Sequence, residues 1–386
     1  MAGIYIHIPF CKSKCGYCGF YSLPYMRLKD RFLEALKEEI VARKDYLKLE
    51  RLRVKPAMTL PFENNGPSES VSTVYFGGGT PSLLSADEIE AVLHLINIHY
   101  PLAENPEITL EANPDTLSLD YLLALRKVGI NRLSIGIQSF FDNDLRYLGR
   151  KHNAEHARQC LVWAKQAGFE NLSLDLIYGL PTSSADQWNR NLDLFFEADV
   201  PHLSAYALTL EPNSILTKQI ELGKAAPIND DDALRDYGIL CHRAAENGFL
   251  HYEISNFCKS GMHSKHNASY WFGTPYLGLG PSAHSFDGSS RQWNVSSVEK
   301  YREAGRETLT DGQLYDEYVM LRLRTHWGID LKWLCREMGE RFSDYCETQA
   351  QPLVAQGKLT QTREFLYLDD RQMLFADGVA EALFWG

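Results

Sequence analysis

The sequence predicts an α/β fold in which six strand-to-helix steps form a curved sheet, followed by a smaller domain of helices and a hairpin. Three observations carry this. Strand-like and helix-like patterns alternate through the first 212 residues, as a parallel sheet with crossover helices requires. The strands place bulky apolar residues at every second position and polar residues between them. Beyond about residue 313 the alternation gives way to short helices and one hairpin-like pair.

The first strand is Ile4-Tyr5-Ile6-His7-Ile8, apolar and polar by turns. It runs into Cys11, Cys15 and Cys18, a C-x3-C-x2-C loop. Leu28 to Leu49 is rich in Leu, Glu, Lys and Ala with helical periodicity, and Val54 to Ser72 is a turn-rich stretch with the character of a surface insertion. Further strands begin near Val74, Ile108, Leu133, Leu172 and Leu203. The helices between them are expected at Ala86–His99, Leu119–Val128, Ala154–Ala167 and Ala185–Glu197. Six such strands either close partly into a barrel or lie open as a doubly wound sheet.

Strand parity bears on that choice. One face carries Ile4, Ile6, Ile8, Ile108, Leu110, Leu133, Ile135, Ile137, Leu172, Leu174 and Leu176. The other carries Tyr5, His7, Thr109, Glu111, Ser134, Gly136, Gln138, Ser173 and Asp175. Helices on both faces would demand continuous apolar runs. A closed barrel with a packed interior would demand bulky branched residues inside. The pattern instead asks for helices on the convex side and a polar, ligand-holding concave face.

Residues 1–212 are expected to form this sheet, 213–312 a connecting region, and 313–386 a winged-helix-like α+β domain. The connecting region includes a helical pattern at Asp230–Asn247 and a glycine-rich segment at Tyr276–Gly280. The last part pairs Lys358–Thr360 with Phe365–Leu368 as a hairpin.

Composition narrows the function. At 45% apolar and 23% charged residues, the 386-residue chain reads as a globular protein with a large core. A net charge of −11 argues against non-specific nucleic-acid binding. From Leu314 onward 8 Lys and Arg face 12 Asp and Glu, so duplex binding by the last domain is not expected either. No apolar run approaches a membrane span, and the chain enters a strand directly rather than through a signal peptide. The five cysteines outside the loop (Cys160, Cys241, Cys258, Cys335, Cys346) show no disulfide framework, which points to a reducing cytoplasm.

Two features carry chemistry. Three thiols on one loop suit zinc, copper(I) or an iron–sulfur cluster. No second C-x-x-C pair completes a zinc site, which leaves a cluster, a zinc ion finished by a distant residue, or buried cysteines acting as small hydrophobes. Gly77-Gly78-Gly79-Thr80-Pro81 ends the second strand, where backbone amides can approach a ligand or simply turn tightly. Glu111, Gln138 and Asp175 share the polar face. Mid-strand carboxylates need partners, whether internal ones such as Arg150 or a bound ligand.

With an aromatic residue before the third cysteine and Ile-His-Ile-Pro-Phe-Cys ahead of the loop, the chain resembles radical S-adenosylmethionine (SAM) proteins of the coproporphyrinogen-oxidase-like family. The resemblance implies a partial (β/α)6 barrel, a [4Fe–4S] cluster on Cys11, Cys15 and Cys18, and SAM on its free iron. It implies SAM contacts at Tyr5, Tyr17, Gly78, Gly79, Thr80, Glu111, Gln138, Arg150 and Asp175. The cluster would reduce SAM to methionine and a 5′-deoxyadenosyl radical.

Oxygen-independent coproporphyrinogen III oxidases of that family carry a further cysteine two residues after the third ligand. Here the position is Phe20. His266-Asn267-Ala268-Ser269-Tyr270-Trp271 matches an H-N-x-x-Y-W motif associated with haem binding in the haem-chaperone branch. The resemblance to that branch implies haem bound through His266, Tyr270 and Trp271, with His263 and His284 as rival ligands. It implies delivery of haem to apo-haemoproteins, respiratory ones foremost, and Phe20 speaks against coproporphyrinogen oxidase activity; the alternative reading is an oxygen-independent coproporphyrinogen III oxidase. No catalytic side chain is assigned. A homodimer and a peripheral membrane contact are compatible with this reading.

Overall fold

The computed structural model describes residues 2–48, 70–212, 214–301 and 303–386. The stretch read as a surface insertion lies largely outside them.

The first part of the chain runs β1 (Ala2–Ile8), α1 (Lys29–Ala42), β2 (Val71–Gly78), α2 (Ala86–His99), β3 (Leu102–Ala112), α3 (Leu119–Lys127) and β4 (Arg132–Gln138). It continues through α4 (Asp142–Tyr147), α5 (Ala154–Gln166), β5 (Asn171–Tyr178), α6 (Ala185–Glu197), β6 (His202–Ala207), α7 (Ile215–Glu221) and α8 (Asp230–Glu246). Strands β1 to β6 pair in chain order, all parallel. Helix starts follow local chemistry. At α2, the Ser85 hydroxyl accepts from the Glu88 amide and Glu88 accepts from the Ser85 amide, which satisfies two amides the helix leaves free.

The apolar parity face is the core. Ile4, Ile6, Ile8, Leu110, Leu133, Ile135, Leu174 and Leu176 are fully buried among Leu36, Ile96, Leu122, Ala164 and Leu192 of the surrounding helices. Each such side chain contributes about 1.5–3 kcal/mol of burial. The opposite face forms the concave interior, where Tyr5 registers with Tyr75, and Glu111 with Ser134 and Ser173 in turn.

The sheet is larger than the sequence pattern indicated. Beyond α8 come the hairpin β7 (Leu250–Glu253) and β8 (Asn256–Cys258), then α9 (Lys265–Trp271), β9 (Tyr276–Leu279), β10 (His284–Phe286), β11 (Ser290–Asn294) and β12 (Glu303–Thr308). The hairpin extends the sheet beyond β6, and β9 joins the other side, parallel to β1. The strand order is β12-β11-β10-β9-β1-β2-β3-β4-β5-β6-β8-β7. All but the last residue of the glycine-rich segment therefore form strand β9. Gly278 is required there because a Cβ would lie 1.9 Å from the carbonyl oxygen of His284.

Helix α9 plugs the concave side near the amino ends of the strands. Its first two amides, Lys265 and His266, donate to the carboxylate of Glu107 at 3.2 and 3.1 Å, a favourable anion position for a helix start.

The last body contains α10 (Asp311–Leu323), β13 (Ile329–Asp330), α11 (Leu331–Met338), α12 (Glu340–Ala355), β14 (Thr360–Gln361), β15 (Phe365–Tyr367) and α13 (Ala376–Glu381). Its antiparallel sheet has the order β13-β15-β14. Tyr315, Leu323, Leu334, Phe342 and Leu366 pack into a core of its own. The architecture is the expected α/β sheet with polar concave face and smaller α+β domain.

Candidate functional site

Cys11, Cys15 and Cys18 lie on an irregular loop at the carboxyl end of β1, all half-buried. The loop is tied down by its own backbone. The Cys11 amide donates to the Leu23 carbonyl at 3.0 Å, the Gly16 amide to Leu148 at 3.1 Å, and the Leu216 amide to Gly16 at 2.7 Å. The Thr80 hydroxyl donates to the Cys11 sulfur at 3.5 Å and the Arg150 guanidinium to the Cys15 sulfur at 3.4 Å. Such contacts orient the two sulfurs and would tune a metal centre held there. Burial pushes the Cys18 thiol up. All eight cysteines are free.

One cavity of about 380 Å³ joins this loop to the concave face. Its walls include the three cysteines and, of the nine residues expected to contact SAM, Tyr17, Gly78, Gly79, Thr80, Glu111, Gln138, Arg150 and Asp175. Tyr5 stands apart from its walls. Its ring stacks on Tyr75, and its hydroxyl lies 3.2 Å from His7 Nδ1.

The carboxylates have donors rather than counter-ions. Glu111 accepts from the Tyr75 hydroxyl at 2.8 Å and the Gly78 amide at 3.1 Å. Burial pushes Glu111 up to about 7, with Asp175 adding to the rise and the Tyr75 bond opposing it. Asp175 accepts from the Ser134 hydroxyl at 3.1 Å and is likewise raised by burial. Arg150, the internal partner named for these groups as the alternative to a bound ligand, makes no ion pair within 4 Å among the described residues. It donates instead to Asn113 Oδ1 at 2.7 Å and to the Gly136 carbonyl at 2.6 Å. It thus braces the cysteine loop against β4. Gln138 adopts a left-handed backbone, φ 66°, in the same wall. Non-glycine residues held this way concentrate at functional sites.

The glycine run has two uses at once. A Cβ on Gly78 would come within 2.7 Å of His7 Nδ1, and one on Gly79 within 2.5 Å of the Phe10 carbonyl oxygen. The chain's own close packing already demands these glycines. A valine at 79 would therefore displace the cysteine loop before it met any ligand.

Sequence reasoning passed over Asn113, Tyr206 and Glu211, which also line this cavity. Tyr206 follows Ser204 on the polar side of β6, so extending the alternation by one strand reaches it. Glu211, whose carboxyl would lie 2.8 Å from a Cβ on Gly19, sits in a loop with no pattern to reveal it.

The three residues of the second motif lie elsewhere. His266 is buried, with Nδ1 2.8 Å from the Thr73 hydroxyl and Nε2 2.8 Å from the Tyr270 hydroxyl. Its ring stacks on Tyr75 at 4.9 Å, and burial lowers its pKa to about 3. In this arrangement neither ring nitrogen is open to an iron. Tyr270 and Trp271 instead line a cavity of about 760 Å³ between α9 and the C-terminal body. The structure thus sets the motif at the amino ends of the strands, away from the cysteine loop, with His266 also stacked on Tyr5 at 6.4 Å. His263 packs edge-on to Tyr252, and His284 is exposed and stacks with Trp293.

For the group that three cysteines imply, the donor set is informative. Among the described residues no three Cys, His, Asp or Glu side chains converge to hold a single metal ion. Cys11, Cys15 and Cys18 line one cavity, a donor set compatible with a polynuclear cluster in which each thiolate would take its own iron.

A curved parallel sheet with a three-cysteine loop at its carboxyl end and a small C-terminal domain defines the radical SAM type of α/β protein. Residues 62–195 match the radical SAM superfamily, and residues 309–375 match the HemN C-terminal domain. Coproporphyrinogen III oxidase (HemN) from Escherichia coli superposes with a TM-score of 0.80, covering 99% of this chain and 90% of that one at 23% identity. Heme chaperone HemW of Mycobacterium tuberculosis is 34% identical over 99% of this chain and 94% of its own length. Those of Bacillus subtilis and Escherichia coli are 31% and 32% identical, each over 98% of this chain and at least 97% of its own length. The chain belongs to the HemW family of the radical SAM superfamily.

Proposed function

We propose that this protein is a haem chaperone that binds a [4Fe–4S] cluster, SAM and haem, and hands haem to haem-requiring proteins of respiration in the cytoplasm. The observation that carries the cofactor part is the single cavity joining Cys11, Cys15 and Cys18 to Gly78, Glu111, Gln138 and Asp175. The haem part is supported by the relatives named heme chaperones over nearly the whole chain. No helix among the described residues is long and apolar enough to cross a membrane, so contact with a membrane-bound recipient would be peripheral.

Each side chain has a task in this reading. Cys11, Cys15 and Cys18 hold the cluster, which when bound supplies electrons for cleaving SAM. Thr80 and Arg150 donate to two of the sulfurs and keep the loop in register with β4. Glu111 and Asp175 present acceptors to the polar groups of SAM, and Gln138 and Tyr17 close the cavity around it. Tyr270 and Trp271 serve haem, with His266 holding the Tyr270 hydroxyl. Phe20, 68% exposed on the cysteine loop, stands where the oxidases of the family carry a further cysteine. We therefore assign no coproporphyrinogen oxidase activity.

The test is anaerobic reconstitution followed by parallel assays. Haem binding with transfer to an apo-haemoprotein, without protoporphyrinogen formation from coproporphyrinogen, is the expected result. Turnover of coproporphyrinogen III would make the protein an oxygen-independent oxidase instead.

A further inference from the structure

The geometry points to the cavity of about 760 Å³ between the barrel and the C-terminal body as the seat of haem in transit. This inference rests on the haem-chaperone reading and gives its cargo a place, at the opposite end of the sheet from the cysteines.

The volume lies within the range of about 300–1,000 Å³ typical of ligand cavities. It is twice that of the cavity at the cysteine loop. Tyr270, Trp271 and Phe286 line it from the barrel side, and Leu321, Trp333 and Phe342 from the C-terminal side. Flat aromatic walls favour a flat apolar ring over a compact or strongly hydrated ligand. Trp333 is held by stacking on Tyr318 at 4.4 Å, so part of the wall is preorganised.

A polar handle sits on the barrel side. Arg291 forms a two-pronged ion pair with Glu317, both bonds 2.8 Å, and donates to the Tyr276 hydroxyl at 3.4 Å. A guanidinium has five N–H donors, so three are spent and others remain for a carboxylate. The buried indole N–H of Trp271 also has no acceptor among the described residues. Buried donors without partners are rare in native structures and call for an explanation. Asp311 and Glu337 line the cavity as well and disfavour a small anion. An extended apolar ring bearing carboxylate arms satisfies both conditions, with its ring against the aromatics and one arm at Arg291.

The experiment is a haemin titration of the full chain, read from the Soret band, for the parent, Leu321→Trp and Arg291→Gln. The added indole at 321 occupies cavity space, and the glutamine removes the cation while keeping polarity. The parent should take up one equivalent. Leu321→Trp should weaken binding at least about tenfold and Arg291→Gln roughly threefold to tenfold, with circular dichroism unchanged. If the parent binds haemin and the folded variants match its affinity, the cavity is not the seat while the chaperone reading stands. A folded parent that binds no haemin overturns both. Should Leu321→Trp fail to fold, Arg291→Gln alone decides.

Discussion

His266 Nε2 and the Tyr270 hydroxyl lie 2.8 Å apart across one turn of α9, joining the concave interior of the sheet to the wall of the larger cavity. Four-residue spacing on a helix puts both side chains on one face. Replacing Tyr270 by Phe leaves a buried imidazole nitrogen without its partner. That should cost about 1–3 kcal/mol in denaturant unfolding. An unchanged midpoint would mean that the hydroxyl contributes nothing to holding His266. His266→Leu, which also frees the Thr73 hydroxyl, should loosen haem binding through Tyr270 rather than by removing an axial ligand. A lost axial-ligand signature in its haem spectrum would reverse that assignment.

Glu111 should make SAM binding depend on pH. Burial holds its folded pKa near 7, above the ordinary 4.5. The folded chain therefore keeps a proton that the unfolded chain has lost between those values. Its contribution to stability is fully present below about pH 4.5 and is lost as pH rises through 7. Binding of the cationic ligand has the opposite sign, because the charged carboxylate binds it better. SAM affinity in equilibrium dialysis should rise between pH 6 and 8, by up to about tenfold per unit below 7. Glu111→Gln should weaken binding and flatten the profile. A flat profile in the parent would take Glu111 out of the ligand's reach.

Changing Cys11, Cys15 and Cys18 together to Ala should abolish iron and sulfide content after anaerobic reconstitution. Cys335, the one exposed cysteine outside the loop, should tolerate Ser within about 0.5 kcal/mol. Iron and sulfide retained by the triple variant would defeat the cluster assignment.

The left-handed Gln138 gives a test that separates backbone from side chain. Gln138→Val should destabilise the fold by roughly 1–3 kcal/mol because a branched residue resists that conformation. Gln138→Gly should leave stability near the parent value yet weaken SAM binding. Equal SAM affinity in the glycine variant would confine Gln138 to a structural role.

Much of this protein is legible in its sequence because parity and period were clean. Alternation along β1, β3, β4 and β5 separates the core face from the cavity face, and the helices at Ala86–His99 and Ala185–Glu197 begin and end where their patterns do. The meander from Tyr276 to Thr308 was not legible. Its strands are short, and Gly278 and Gly280 in β9 and just after it look like turn residues when only local signals are read. The role of Gly278 becomes visible only beside His284, across a strand pair formed in space. Arg150 is a similar case. Its charge suggested a carboxylate partner, whereas the fold supplies Asn113, a carbonyl and a sulfur. That α9 enters from the amino ends of the strands, with His266 against Thr73, is a matter of topology that the six residues of the 266–271 motif do not encode.

The pairing of β9 with β1 sets an order of events during synthesis. Gly3 registers with Tyr276, so the strand that leads into the cysteine loop waits for most of the chain before its second edge is covered. Until Tyr276–Leu279 leaves the ribosome, β1 presents a row of unpaired amides and carbonyls, the kind of edge on which chains aggregate. His266, packed where a Cβ on Gly3 would lie 3.2 Å from its ring, arrives just before that edge closes. A nascent chain stalled before residue 276 should therefore be sticky and protease-sensitive, and one stalled after β12 has emerged should not. The last body would then dock onto a sheet already complete.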